Sequence, residues 1–421
     1  MGFLELLKSR MGDDEFSLVE RTGQLAHDMD TKLYLVGGAI RDVLLGLPVR
    51  DLDMVVEGDA GAFVDSMIER FQVNVTHRSR FSTFGIDDSG LHLDIAEART
   101  EYYRYRGALP EISKANIVLD LQRRDFSINA MAFPLHVMNE SELLDVYNGR
   151  EDIRKRCIRI LHDESFLDDP TRIMRALRYK QKLGFQLDDM TKELVIRDAS
   201  CLENISQDRL GREFRLWLKE ITCRDIIQNA DEMGVLAAIS PELSGNSTFF
   251  NISRNDVRYE SGDELLNLAL LSYKLTADGR NEFAAKLALP GSHIKVLNDM
   301  TYIDINRYCI AGEGLSNESL YNCLNPLASS AVKVHALLND DENVRNNLSL
   351  FLRELVHIKC SLSGADLVNM GVPRGPSIGV LLRMLHSARL EQSISTREEE
   401  IYAIQKWMFE GHGRASDSDL D

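Results

Sequence analysis

Leu33-Tyr34-Leu35-Val36-Gly37-Gly38-Ala39-Ile40-Arg41-Asp42, running on to Asp51-Leu52-Asp53, is the stretch from which the fold can be read. Leu33 to Val36 is a short apolar run ending in a diglycine, which predicts a strand and a tight turn. Ala39 to Leu45 follows as a short helix closed by Gly46, a usual C-terminal signal. Asp51 to Val56 reads as the next strand. In a strand, side chains at i and i+2 face the same way, so the Asp51 and Asp53 carboxylates share one face. Two hard oxygen ligands side by side suit Mg²⁺, which is commonly held by one or two carboxylates plus substrate phosphates. Taken alone, D-x-D describes two exposed acids on an edge strand equally well; the preceding turn changes the odds. Gly37 and Gly38 let backbone N–H groups approach a triphosphate, and a helix N-terminus favours its negative charge. Arg41, one turn into that helix, reaches the same phosphates.

Working outward, residues 14–29 read as an amphipathic helix with Phe16, Val19, Leu25 and Met29 on one side. Ala60 to Phe71 is a further helix, and strand-like runs come at Phe81 to Ile86, Leu91 to Ala96 and Ala130 to Phe133. From about residue 150 the β-type segments disappear. A 3.6-residue pattern then recurs in 165–183, 189–200, 206–220, 263–275, 349–358 and 378–390. The organisation predicted is a compact α/β head followed by an all-helical remainder, with no solenoid period.

A chain of 421 residues allows two to four domains, and 44% hydrophobic with 27% charged residues is ordinary for a globular protein. No apolar run approaches 18 residues, so no transmembrane helix is expected. The N-terminus lacks the pattern of a signal peptide. Cys157, Cys201, Cys223, Cys309, Cys323 and Cys360 are scattered, with no C-x-x-C pair, and read as free thiols of a cytoplasmic protein. The net charge of −17 excludes a protein that coats nucleic acid indiscriminately. Positive residues nevertheless cluster at Arg99, Arg104 and Arg106, at Arg123 and Arg124, from Arg150 to Arg159 and from Arg172 to Lys182. That asymmetry assigns phosphate handling to the N-terminal half.

The segment GGAIRDVLLGLPVRDLD (residues 37–53) resembles the first motif of the tRNA nucleotidyltransferases and bacterial poly(A) polymerases, class II of the polymerase-β-like superfamily. Arg123-Arg124-Asp125-Phe126-Ser127-Ile128-Asn129-Ala130-Met131-Ala132 is similar to that family's R-R-D-F-S/T-x-N-A-x-A block. Asp168-Asp169-Pro170-Thr171-Arg172-Ile173-Met174-Arg175-Ala176-Leu177-Arg178-Tyr179 resembles its E-D-x-x-R-x-x-R-A-x-R-F helix, with Asp168 where Glu is usual. Ile205 to Leu210 resembles its I-S-x-E-R-I/L element. These motifs span roughly residues 33–220; nothing beyond them matches. The resemblance implies an α+β fold: a polymerase-β-like head of small mixed sheet with helices over 1–148, then an all-α neck (149–220), body (221–340) and tail (341–421). The tail is expected to bind tRNA and to end in an acidic, disordered C-terminus.

The helix motif can also be read physically. Arg172, Arg175 and Arg178 are three apart and lie along one side of a helix, which by itself describes a solvated face. The sharper reading pairs Asp169, which accepts from an exocyclic amine, with Arg172, which donates to a ring nitrogen or carbonyl. Cytosine and adenine both offer an amine beside an acceptor, whereas uracil and guanine present the wrong order. The family uses this acidic-x-x-Arg pair as a protein template for CTP and ATP. Asp168 takes a supporting role.

The expected site therefore comprises Asp51, Asp53 and Asp94 as catalytic carboxylates, the first two holding Mg²⁺. Gly37, Gly38, Arg41, Arg124, Asp169, Arg172, Arg175 and Arg178 are expected to bind nucleotide. An ordinary exposed strand residue is an equally good reading of Asp94. Arg99 to Glu111 is read as a mobile loop that, by the resemblance, helps to switch nucleotide preference, and His162-Asp163 is not read as a metal site. The implied activity is template-independent addition of C and A from CTP and ATP to the 3′ end of tRNA by two-metal phosphoryl transfer, with no obligate protein partner. A poly(A) polymerase is the main rival. Its relatives carry a basic G-R/K-R/K-F-R-L-V-H-V-like strand, which Arg78 to Phe84 lacks. CC-only and A-only tRNA enzymes share these motifs, and a catalytically silent RNA-binding module is the alternative from another class.

Overall fold

The computed structural model describes residues 2–49, 51–79, 82–88, 91–102, 111–137, 142–245, 262–312 and 314–410. The loop residues 103–110, Arg80 and Phe81, and the acidic tail from 411 to 421 lie outside the described residues. Two compact units form, Met1–Gly245 and Asn246–Asp421.

The first unit is organised by strands β1 (Lys32–Val36), β2 (Asp51–Glu57), β3 (Asn74–Arg78), β4 (Thr83–Asp88), β5 (Leu91–Glu97), β6 (Arg99–Tyr102), β7 (Glu111–Lys114) and β8 (Ala132–Pro134). Six of them make one sheet in the order β3-β4-β5-β2-β1-β8. The β2–β5 pair is parallel and the other neighbours are antiparallel, so the sheet is mixed as expected. Leu52, Met54 and Val56, on one face of β2, are almost fully buried. Helices Asp13–Asp28 and Ala60–Phe71 contribute Leu25, Phe63 and Val64 to the same interior. Asp51, Asp53 and Val55 alternate onto the opposite face. At the far end of that face Val55 packs with Tyr34, Val36, Ile117 and Leu121, closing a core beneath helix Ile117–Gln122.

Several expectations shift. The segment read as a loop from Arg99 to Glu111 begins and ends in strands: β6 and β7 form an antiparallel pair, Arg99 opposite Lys114 and Tyr102 opposite Glu111. Its polar alternation offers no apolar face for a sequence reading to detect. Strand β3 was invisible for the same reason, being an exposed edge. Strand character also persists past residue 150, because Cys157–Ile158 and Gln186–Leu187 form a short parallel pair.

The helix expected over 165–183 is two helices, Ser165–Asp168 and Thr171–Leu183. Pro170 disfavours helical backbone at the residue before it, and Asp169 is accordingly extended at φ −136° and ψ 95°. Helix Thr171–Leu183 buries Ile173, Met174, Ala176 and Leu177 completely and ends at Gly184 in the left-handed region. Helix Gln207–Lys219 packs against it, and the buried Trp217 indole donates to the Met174 carbonyl at 2.8 Å.

The second unit is helical throughout its described residues, from Glu264–Leu271 to Arg397–Phe409. Helix Ser329–Leu338 runs through its interior, with Ala331, Val332, Val334, His335 and Ala336 buried. Among the described residues no helix is long and apolar enough to cross a membrane.

Candidate active site

Strand register assembles the acidic part of the site. Parallel pairing sets Asp53 directly opposite Asp94, and Asp51 opposite His92. Antiparallel pairing on the other side sets Val36 opposite Asp53, which brings the diglycine turn beside that carboxylate. Asp51, Asp53 and Asp94 thus share one face. The Asp94 Oδ1 is buried without a hydrogen bond, with His92 Nε2 3.6 Å away. The Asp53 carboxyl is raised above its usual range. Desolvation inside the cleft is the main cause, although the residue keeps an exposed edge on the strand face; Arg124 opposes it, and Asp94 and Asp51 add to it. Three acids on one face repel one another, and a cation relieves that repulsion. No three acidic, histidine or cysteine side chains among the described residues converge on one point. One or two of these carboxylates would hold a divalent metal together with water and phosphate oxygens, a donor set that would suit Mg²⁺.

The turn explains its own glycines. Gly37 has φ +72°, and a Cβ there would lie 2.9 Å from Arg124 Nη1 and 3.6 Å from Asp53 Oδ2. Any other side chain would be strained at that φ and would make the end of the Arg124 side chain shift. Gly37 caps helix Gly38–Leu45, whose open N–H groups face the same cleft. Arg41 is buried, its Nη1 donating to Asn129 Oδ1 at 2.8 Å and its Nε to Asp42 at 2.9 Å, with the guanidinium 5.3 Å from the Tyr179 ring centre.

The cleft between these groups has a volume of about 420 Å³. Of the expected residues, Gly37, Gly38, Arg41, Asp53, Asp94, Arg124, Asp169, Arg172 and Arg175 line it. Asp51 shares the strand face but lies outside the lining. Arg178 turns away: its guanidinium nitrogens lie 3.9 Å from Glu213 and 3.6 Å from Glu220. Asp168 also lies outside, 3.8 Å from His162.

Asp169 and Arg172 both reach the cleft, with Asp169 ahead of the helix rather than on it. Asp169 Oδ1 accepts from the Thr171 N–H (3.0 Å), the Thr171 hydroxyl (2.6 Å) and Arg209 Nη2 (2.6 Å). Arg172, 5% exposed, donates from Nη1 to the Ser165 hydroxyl at 2.7 Å and from Nη2 to the Arg123 carbonyl at 2.6 Å.

Sequence reasoning missed the acids that aim the arginines. Fully buried Asp120 sits 3.1 Å from Arg124 and 2.7 Å from Arg123, which also reaches Glu101 at 3.0 Å. Burial would raise the Asp120 carboxyl, but Arg124 and Arg123 outweigh it and the net shift is downward. Asp125 is likewise lowered against burial by Arg175, 2.6 Å away, and by Asn129. Asp125 and Asn129 lie within the quoted block, yet their partners are far along the chain and no local spacing announces them. Tyr179 joins them as a cleft residue, its ring approached by the Arg41, Arg175 and Arg178 guanidiniums.

Residues 33–159 match the Poly A polymerase head domain. The A-adding tRNA nucleotidyltransferase of Halalkalibacterium halodurans is 29% identical over 405 residues, 94% of either chain. The CCA-adding enzyme of Bacillus velezensis is 29% identical over 89% of this chain and 93% of that one. A solved tRNA-processing enzyme with CTP superposes with a TM-score of 0.66 at 26% identity, covering 88% of this chain and 100% of that chain.

The raised Asp53 carboxyl makes a prediction about stability. An acid whose folded pKa exceeds its unfolded value of ~3.9 costs stability when ionised, and the cost vanishes as pH falls below that unfolded value. Asp53→Asn should therefore raise the Tm of the metal-free protein at pH 7, and the gain should shrink as pH falls and be lost below the unfolded carboxyl's pKa. Melting curves across that range test it; no gain at neutral pH, or a gain independent of pH, contradicts the electrostatic account.

Proposed function

We propose that the chain belongs to the tRNA nucleotidyltransferase and poly(A) polymerase family and that it adds C and A from CTP and ATP to the 3′ end of tRNA. The observation that carries this is the placement of Asp53 and Asp94 on paired strands beside the Gly37-Gly38 turn, with cationic Arg41, Arg124 and Arg175 lining the same cleft. Acids that hold divalent metal and a cradle that holds triphosphate meet there, which is what phosphoryl transfer requires.

In this reading the triphosphate lies against the N-terminus of helix Gly38–Leu45, its charge offset by Arg124 and Arg175. Asp51 and Asp53 would hold Mg²⁺, with Asp94 beside them. Its chemistry when bound is to lower the pKa of the RNA 3′-OH and to neutralise charge on the departing pyrophosphate. The oxygen of that hydroxyl bonds to the α-phosphorus as the bond to pyrophosphate breaks, and its proton is released to solvent. The protein's part is positioning and electrostatics, because its arginines are already aimed by buried acids. Asp169 and Arg172 face the base, Asp169 accepting from its amine and Arg172 donating to its ring acceptor. A guanidinium carries five N–H groups, so Arg172 can donate to the base while keeping its bonds to the Arg123 carbonyl and the Ser165 hydroxyl. The six free thiols accord with a cytoplasmic enzyme.

A second reading is addition of A alone, favoured by the activity in the name of the Halalkalibacterium relative. Incubating the purified chain with Mg²⁺, labelled CTP and ATP, and tRNAs shortened by three, two or one 3′ nucleotides separates the two. Full repair of all three substrates is expected; extension of only the last supports the narrower activity. Asp51→Ala and Asp53→Ala should abolish incorporation with the fold retained, and activity within tenfold of wild type in either removes the proposed metal site.

Nucleotide choice gives an independent test. Arg172→Ala and Asp169→Ala should each relax discrimination against UTP and GTP, one lost contact amounting to ~1–3 kcal/mol or roughly 5- to 150-fold in relative kcat/KM. A phosphate-only role for Arg172 would weaken all four nucleotides together. Competition among the four NTPs distinguishes these outcomes, and unchanged ratios in both variants would place base reading elsewhere.

A further inference from the structure

The sheet face that carries Asp51 and Asp53 continues past β5. Residues paired across strands point to the same side, so His92 and Asp94 of β5 and Gly85 of β4 belong to that face. His92 Nε2 lies 3.6 Å from Asp94 Oδ1, with about half of the His92 side chain exposed. One strand further out, the β3–β4 ladder shifts register between Val75 and His77, which sets His77 opposite Gly85. Such a bulge re-aims side chains and is frequent beside active sites. Here it brings both the Thr76 hydroxyl and the His77 imidazole over Gly85. A Cβ at Gly85 would sit 2.8 Å from Thr76 Oγ1 and would collide with the His77 ring. Gly85 has no positive φ, so glycine supplies space there, not conformation. That space, filled by polar side chains, adjoins Asp94.

Phosphoryl transfer sets the attacking oxygen roughly in line with the leaving one. In the reading above the triphosphate lies on the β1 side of Asp53, at the Gly37-Gly38 turn. The attacking hydroxyl then comes from the β5 side, where Asp94, His92 and His77 lie. We propose that His92 and His77 hold the acceptor RNA on that side, donating N–H to the phosphate that joins its last two nucleotides. The proposal rests on the tRNA reading above. An imidazole donates from a ring nitrogen in either protonation state, and the Thr76 hydroxyl adds a further donor. A phosphate beside Asp51, Asp53 and Asp94 is repelled unless donors hold it. Contacts to the nucleic-acid backbone carry no sequence information. An RNA end that changes with every addition needs that kind of hold, because only its sugar and phosphate stay the same.

The test uses the full chain and shortened tRNA whose last internucleotide phosphate is either natural or a methylphosphonate, which is neutral and lacks one acceptor oxygen. For each acceptor kcat/KM is measured, beside the CTP dissociation constant and Tm. His77→Ala and His92→Ala should each lower kcat/KM for the natural acceptor about tenfold, the order of one hydrogen bond to a charged group, with CTP affinity unchanged. The methylphosphonate should cost the wild type at least tenfold and the double variant less than about threefold. His92→Gln, which keeps an N–H donor, should recover most of the loss. Gly85→Ala, which forces His77 aside, should reproduce His77→Ala. Should Gly85→Ala lower the Tm, the histidine variants, both at exposed positions, decide alone. An undiminished methylphosphonate penalty in the double variant, or a loss of CTP affinity equal to the loss in RNA use, overturns the proposal while leaving the tRNA reading intact. A wild-type chain that neither binds nor extends shortened tRNA overturns that reading and the acceptor site with it.

Discussion

Two neighbouring strand ladders constrain the whole head. On one side β2 runs parallel to β5 with Asp53 opposite Asp94; on the other it runs antiparallel to β1 with Val36 opposite Asp53. Because side chains alternate, a slip of one residue in β2 would carry Asp51 and Asp53 into the interior and expose Leu52 and Met54. Leu52 and Met54 are each only 1% exposed, so the hydrophobic effect resists that slip strongly. The register that buries the core is therefore the same register that lines up the acids and sets the Gly37 turn beside them. Fold and chemistry depend on one set of backbone hydrogen bonds.

Electrostatics then shapes the site from the other direction. A chain so acidic presents arginines in its cleft only because each is held by a partner: Arg41 by Asn129 and Asp42, Arg124 by Asp120, Arg175 by Asp125. Buried ion pairs of this kind contribute little net stability, because desolvation offsets their attraction. Their value is orientation, since a guanidinium already aimed at the place where charge will sit needs no reorganisation when the nucleotide arrives. Arg209 does the same for Asp169, fixing one carboxylate oxygen at 2.6 Å while Oδ2 takes none of its three bonds.

Much of this was legible in the sequence, and the reasons are specific. β1, β2, β5 and helix Ala60–Phe71 carry strong apolar patterns because one face of each is buried, and they appear within a residue or two of their expected bounds. The acidic pair and the diglycine turn are local in sequence, so spacing alone proposed them. Strand β3 and the β6–β7 hairpin went unread because they bury too little to leave an apolar period. The break at Asp169 was legible in principle from Pro170, but the regular arginine spacing suggested one continuous helix. Glu101 and Arg209 reveal their roles only through long-range contacts, and no periodicity encodes those, whereas Asp120 pairs with Arg123 and Arg124 three and four residues on, a spacing the sequence did offer. Arg178 has the spacing of its neighbours, yet its guanidinium lies beside Glu213 and Glu220 and outside the cleft lining.

On the proposed mechanism the β2 carboxylates would hold metal against a triphosphate seated on the Gly37-Gly38 turn. A crystal structure of the chain with CTP and Mn²⁺, which accepts the same oxygen ligands as Mg²⁺ and can be located by anomalous scattering, tests it most directly. The account predicts an anomalous peak at metal–ligand distance, about 2.1 Å, from carboxylate oxygens of Asp51 and Asp53, with the triphosphate at the N-terminus of helix Gly38–Leu45. A nucleotide bound in the cleft with the metal peak away from both aspartates would contradict it.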